Sequence, residues 1–302
     1  MYRTLFRICL LALVALLAAG CAASPRTPAT DDLGRPITLK ETPHRIVSMA
    51  PSNTELLFAL GLGSKVVGVD DFSDYPPQAK ETAKVGGFIP SLEKIVALEP
   101  DLVLGIGETL PEYASTLEAR GIPVVILQPK DIEGILADIE LVGAITGARK
   151  EARELATEMR REVNAVVTKA QGSPRVRVFY EIDGSDPVRP WTAGPGSFIQ
   201  ALIEMAGGAN IASEAAGPWV QISAEEIVRA DPQVILLGDA AYGTTVESVK
   251  RRPGWGGLSA AKVGAIYPID ADITTRPGPR IVQGLKEIAR LVHPELFPEG
   301  GK

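Results

Sequence analysis

The sequence predicts an α/β protein of two lobes, each built on a parallel sheet, joined by a single long helix. Three observations carry that prediction. Short apolar, β-branched runs alternate with helical stretches, the pattern of parallel strands covered by helices on both faces. The segment Ser91–Pro100 recurs as Ser223–Pro232, and each copy leads into an apolar run ending in glycine, at Gly105 and Gly238. Between the copies, Arg149 to about Ala170 holds no Gly or Pro and alternates acids with bases. As a helix it would be roughly 33 Å long, enough to bridge two Rossmann-like lobes.

Residues 1–20 read as a secretory leader. Arg3 and Arg7 precede the apolar run Ile8–Ala19, and small residues lead to Cys21. The run is too short for an ordinary membrane span. Gly20-Cys21 fits a bacterial lipobox, in which cleavage exposes the cysteine for acylation. Ala18 stands where leucine is usual, and Leu17 lies one place further out. Ordinary cleavage beside an incidental cysteine is the alternative. Lipidation at Cys21 would leave the mature chain without a thiol, because Cys9 departs with the leader. The expected location is extracytoplasmic, anchored to the membrane through Cys21 alone. Loss of Arg3 and Arg7 moves the formal net charge from −6 to −8. So acidic a chain, without a basic run, has little to offer nucleic acid.

Residues 21–43, rich in Pro, Thr and Ala, form a lipidated tether, with a short hairpin expected over Asp32–Leu39. The N-terminal lobe, 44–147, takes a strand at Arg45–Met49. A helix opens at Pro51 and is stopped by Gly61, and a strand follows at Val66–Val69. After the first copy of the repeat come a strand at Leu102–Leu104, a helix over Leu110–Arg120 and a strand at Val124–Leu127. Residues 148–171 are the bridging helix. The C-terminal lobe, 172–297, opens on the strand Arg175–Ile182. Loops are expected around Trp191 and Trp219, and a last helix over Arg280–Val292.

The repeat places Glu93 and Glu225 at matching positions in two first helical turns. Two readings stand. Each acid complements the positive end of its helix, worth a few tenths to ~1 kcal/mol, or the two form an outward-facing docking pair. Ligands of open α/β sheets sit outside the carboxyl ends of the strands. Phe72, Phe88, Trp191, Trp219, Asp272 and Arg276 all fall there. The chain is only 5% aromatic, so rings gathered at one edge suit a large, flat, partly apolar ligand. Each ring capping its own lobe is the plainer account.

Little favours an enzyme. His44 and His293 are the two histidines and read as structural. No metal-ligand spacing, HExxH or Gly-x-Ser-x-Gly elbow occurs, and Gly61-Leu-Gly63 follows a helix rather than a strand. No resident metal or cofactor is expected.

The stretches Ser48–Gly61, Ser73–Gln78, Leu92–Val103 and Arg276–Ile281 resemble the cobalamin-binding members of the solute-binding proteins for corrinoids, ferric siderophores and haem. The resemblance runs from about 44 to 294. It implies two α/β lobes joined by one long helix, of the class III periplasmic binding protein kind. It implies delivery of a corrinoid carrying its own cobalt to an ABC importer, a permease dimer with its ATPase subunits. Glu93 and Glu225 would meet arginines of the permease. Phe72, Phe88, Trp191 and Trp219 would flank the corrin, with Asp272 and Arg276 as polar contacts. Ile106 stands where the cobalamin binder has another Trp, and haem or a ferric siderophore is the alternative cargo. An exported enzyme on the same scaffold is the reading from another class.

Overall fold

The computed structural model describes residues 29–107 and 111–298. The leader and Cys21 lie outside them. The first lobe takes β1 (Ile46–Ser48), α1 (Pro51–Ala59), β2 (Val66–Val69), α2 (Leu92–Ala97), β3 (Leu102–Ile106), α3 (Pro111–Glu118) and β4 (Val124–Leu127). The four strands are parallel, in the order β2-β1-β3-β4. Their residues are apolar without alternation because helices cover both faces. Ile46, Val47, Leu102, Leu104 and Ile126 are wholly buried.

Next come α4 (Ile132–Thr146), capped by Asp131 and ended at Gly147 with φ 85°, and α5 (Arg149–Ala170). The apolar stripe of α5 is Ala152, Ala156, Met159, Val163, Val166 and Ala170, spaced by fours and threes as one buried helix face requires. Small residues bring α4 and α5 together: a Cβ on Gly143 would sit 2.3 Å from that of Ala152.

The second lobe comprises β5 (Val176–Asp183), β6 (Trp191–Ala193), α6 (Phe198–Met205), β7 (Gly208–Asn210), β8 (Trp219–Gln221), α7 (Ala224–Ala230) and β9 (Val234–Leu237). It continues with α8 (Val246–Lys250), α9 (Ser259–Val263), β10 (Ile266–Pro268), α10 (Ala271–Thr275) and α11 (Ile281–Val292). Its sheet runs β10-β9-β5-β6-β8, with β7 also paired to β5. The members β10, β9, β5 and β7 are parallel, whereas β6 and β8 add an antiparallel ribbon. The expected loops around Trp191 and Trp219 are therefore strands. Both are three residues long beside Pro and Gly, β6 between Pro190 and Gly194 and β8 after Gly217-Pro218, so composition alone reads them as loops.

The duplication reaches beyond the repeated segment. Paired positions differ by 132 in number throughout. Ile46 pairs with Leu102 as Val178 pairs with Val234. Arg45 donates to the carbonyls of Leu98 and Glu99, and Arg177 to those of Ala230 and Asp231. Glu99 and Asp231, each before a proline, both turn left-handed, at φ 45° and 44°. Each arginine ties the carboxyl end of its helix, where carbonyls lack partners, to the strand beside it.

Residues of the expected tether, from Ala29 onward, lie against the first lobe. Thr30 bridges Pro36 across a turn, as a short hairpin would. Buried Asp31 accepts from the backbone N–H groups of Leu33, Arg35 and Ile126 and pairs with the Arg35 guanidinium. The Asp32 amide donates to the Ile126 carbonyl, and the Asp32 carboxylate accepts from Gln128. These contacts cover the outer edge of β4.

Candidate functional site

The candidate residues lie in segments after the parallel strands β2 and β10, on the turn before α2 and at the amino ends of β6 and β8. After β2, the chain is pinned by a buried hydrogen-bond chain: Asp70 to Ser73, Ser73 to Thr54 at 2.7 Å, and Thr54 to Ser48 at 2.7 Å. Burial raises the Asp70 carboxyl above its ordinary value, against the pull of the Ser73 and Phe72 hydrogen bonds and of the Lys84 and Arg276 charges. The Phe72 amide donates to Asp70 at 3.0 Å, which fixes the ring's root. Phe88, on the glycine-rich turn before α2, meets Phe72 with ring centroids 4.8 Å apart. Both rings are exposed, Phe88 at 91%. Gly87 permits the approach, because a Cβ there would stand 3.1 Å from the Phe72 ring.

In the second lobe, Trp191 opposes Gln221 and Ala193 opposes Trp219. With side chains alternating along a strand, Trp191 and Trp219 share one face of the β6–β8 ribbon as a diagonal pair. They are 42% and 52% exposed. Among the described residues no ring contact links this pair to Phe72 and Phe88.

Charged groups from both lobes also meet. Arg276 places Nη1 at 2.9 Å from Asp74 and 3.2 Å from Glu55, and Nη2 at 2.7 Å from Asp272. Arg280 forks onto Glu55 at 2.6 and 2.8 Å and stacks on Tyr75, 4.0 Å from the ring centroid. Glu55 sits on α1, and both arginines follow α10, so the cluster joins the lobes. Burial raises the Asp272 carboxyl, with Asp270 and Asp74 adding to the shift and Arg276 opposing it. Partial burial also acts upward on Asp74, but its bond to Arg276 holds it below the ordinary value.

The structure thus brings Asp272 and Arg276 together. It adds Glu55, Asp74 and Arg280, which sequence reasoning missed. The available signal was Glu55 itself, the one charged residue in the otherwise uncharged helix α1. A further pair, buried Glu181 with largely buried Arg252, was not foreseen either. Arg252 stacks on Trp255 at 4.7 Å and its Nη2 lies 2.9 Å from Glu181. A concavity of about 580 Å³ lies behind the Glu55–Arg280 pair, lined by Phe58, Leu155, Met159 and Val282 among others.

Glu93 and Glu225 occupy matching first turns, on α2 and α7. Both are exposed, and neither has a hydrogen-bond or ion-pair partner among the described residues. Their helices are capped by Ser91, which accepts from Lys94 at 3.4 Å, and by Ser223, which forms a capping box with Glu226. His293 is buried between Glu295 and the Gly207 carbonyl. Among the described residues no three His, Cys, Asp or Glu side chains are grouped to hold a metal, and no helix is long and apolar enough to cross a membrane.

The periplasmic binding protein family profile matches residues 46–273. The chain belongs to the periplasmic binding protein family. Its members bind solutes and are not enzymes, so the enzyme reading falls away. The chain is 32% identical over 310 residues to the Bacillus subtilis ABC transporter substrate-binding lipoprotein YvrC, with 96% of this chain and 97% of that one covered. It is 32% identical over 255 residues to the vitamin B12-binding protein of Salmonella typhimurium, covering 84% of this chain and 91% of the relative. Among solved structures it is similar to the periplasmic haem-binding protein RhuT from Roseiflexus. There the TM-score is 0.74 at 28% identity, over 84% of this chain and 99% of the other. The two-lobed α/β fold with one long bridging helix is therefore that of the family.

Proposed function

We propose that this protein captures a corrinoid between its lobes and delivers it to an ABC importer, held at the membrane by acylated Cys21. One observation supports the ligand reading above others. In an aromatic-poor chain, each lobe exposes a pair of rings, Phe72 with Phe88 in one and Trp191 with Trp219 in the other, and Asp272 and Arg276 belong to a charge cluster that joins the lobes. Paired aromatic faces suit the two sides of a flat macrocycle. No resident cofactor takes part, and the cobalt would arrive with the cargo. The unpartnered acids Glu93 and Glu225 serve as the two contacts for arginines of a permease dimer, which carries the ATPase subunits.

Haem is the second reading. The likeness to RhuT supports it, and so does Tyr242, 89% exposed in the turn after β9, as an oxygen donor for iron. Isothermal titration with cyanocobalamin, haem and a ferric siderophore separates the cases. Heat with cyanocobalamin alone is the expected result. Heat with haem or the siderophore and none with cyanocobalamin would overturn the corrinoid reading.

A further inference from the structure

We infer that Glu55 and Asp74 set the selectivity of the cleft by caging Arg276, so that its floor takes a macrocycle edged by carboxamides and turns away one edged by carboxylates. The inference rests on the corrinoid reading above.

Arg276, in the charge cluster that joins the lobes, is the cation that an anionic ligand there would seek. Its charge is already met by acids. Its side chain is only 15% exposed, Nη1 is shared by Glu55 and Asp74, and Nη2 is taken by Asp272. Arg280, the second cation, presents Nε and Nη2 to Glu55 and one guanidinium face to Tyr75. Lys84, nearby in the first lobe, donates to the backbone carbonyls of Asp70 and Ser73. The two arginines thus already face carboxylates, and Lys84 backbone carbonyls, before any ligand arrives.

The signs then decide what the floor offers. Two arginines face three carboxylates, Glu55, Asp74 and Asp272, leaving one negative charge. Glu55 is buried, whereas the side chains of Asp74 and Asp272 are 50% and 39% exposed. The accessible groups of the cluster are therefore acceptors, the carboxylates of Asp74 and Asp272. A carboxamide can donate N–H to them in a charge-assisted bond. A carboxylate brings no donor and meets like charge, and an interface built of committed donors rejects such a partner. Removing one cage acid, from Asp74 or Glu55, frees part of the Arg276 fork and cancels the excess charge.

The test uses two ligands with the same ring. Dicyanocobinamide carries peripheral carboxamides, and dicyanocobyrinic acid carries carboxylates in their place. Affinities are measured by titration for the native protein, Asp74→Asn and Glu55→Gln. The native protein should bind the amide form at least tenfold more tightly, and Asp74→Asn should narrow that ratio at least threefold. Damage to packing alone would weaken both ligands together and leave the ratio unchanged, so the ratio separates selectivity from structure. Asp74 is half-exposed, and its variant decides the matter should buried Glu55→Gln fail to fold. Equal affinity of the native protein for both rings, or an unchanged ratio in Asp74→Asn, overturns the inference while leaving the corrinoid reading intact. Binding of neither ring overturns both.

Discussion

At the scale of single residues, Asp138 carries the clearest pH signature. It is buried on α4 with one carboxylate oxygen lacking a partner, and burial, with the Asp32 charge adding to it, pushes its pKa from 3.8 to about 8. An acid whose folded pKa lies above its unfolded value keeps its proton more firmly in the fold. Its contribution is full below the unfolded value and is lost as pH rises from about 4 to about 8. Thermal unfolding of the native protein should show that decline. Asp138→Asn should flatten it and be more stable than the native protein at pH 8, by up to about 5 kcal/mol; identical pH profiles would remove Asp138 from the account. Trp191→Ala and Trp219→Ala should each weaken ligand binding by roughly 1–3 kcal/mol, by analogy with base–aromatic stacking, with the unfolding temperature little changed because both rings are exposed. The sequence points to these rings by their rarity and their place after strands. It does not point to Asp138 or Arg280, and it marks Glu55 only as the lone charge of α1, since partners for a charge come from elements far apart in the chain. Glu55 and Arg276 are joined across 221 positions.

At the scale of elements, legibility follows how local the cause is. Helix α5 is readable from end to end because its charge alternation and its four-and-three apolar spacing lie within its own 22 residues. The parallel strands are readable as apolar runs. The β6–β8 ribbon is not, because its pairing joins Trp191 with Gln221, and three-residue strands carry almost no pattern of their own. Contact between α4 and α5 depends on an absent side chain at Gly143. Gly143→Val should cost about 1–3 kcal/mol by forcing α5 away from α4, read as a lower denaturant midpoint with an unchanged slope. A variant as stable as the native protein would show that the two helices slide to make room.

At the scale of the molecule, the two lobes repeat one design down to strand register and the arginine that clamps the ends of α2 and α7. Matched clamps hold α2 and α7 in matching poses, which gives Glu93 and Glu225 a reason to stay exposed and unpaired. Ligand affinity should survive the combined change Glu93→Ala and Glu225→Ala, while ligand uptake by cells should collapse; normal uptake would return both acids to the task of complementing a helix dipole. Between the lobes, α5 and the Glu55 cluster form two separate ties, a joint suited to small adjustments rather than wide hinging.

The hairpin at residues 30–36 has a consequence for how this protein behaves in company. By lying along β4, it occupies the backbone groups of Val124, Ile126 and Gln128 that a sheet edge would otherwise offer to another chain. This stretch thus keeps crowded copies from joining strand to strand along β4. A form lacking residues 29–37 should fold, yet self-associate in light scattering at concentrations where the intact protein stays monodisperse.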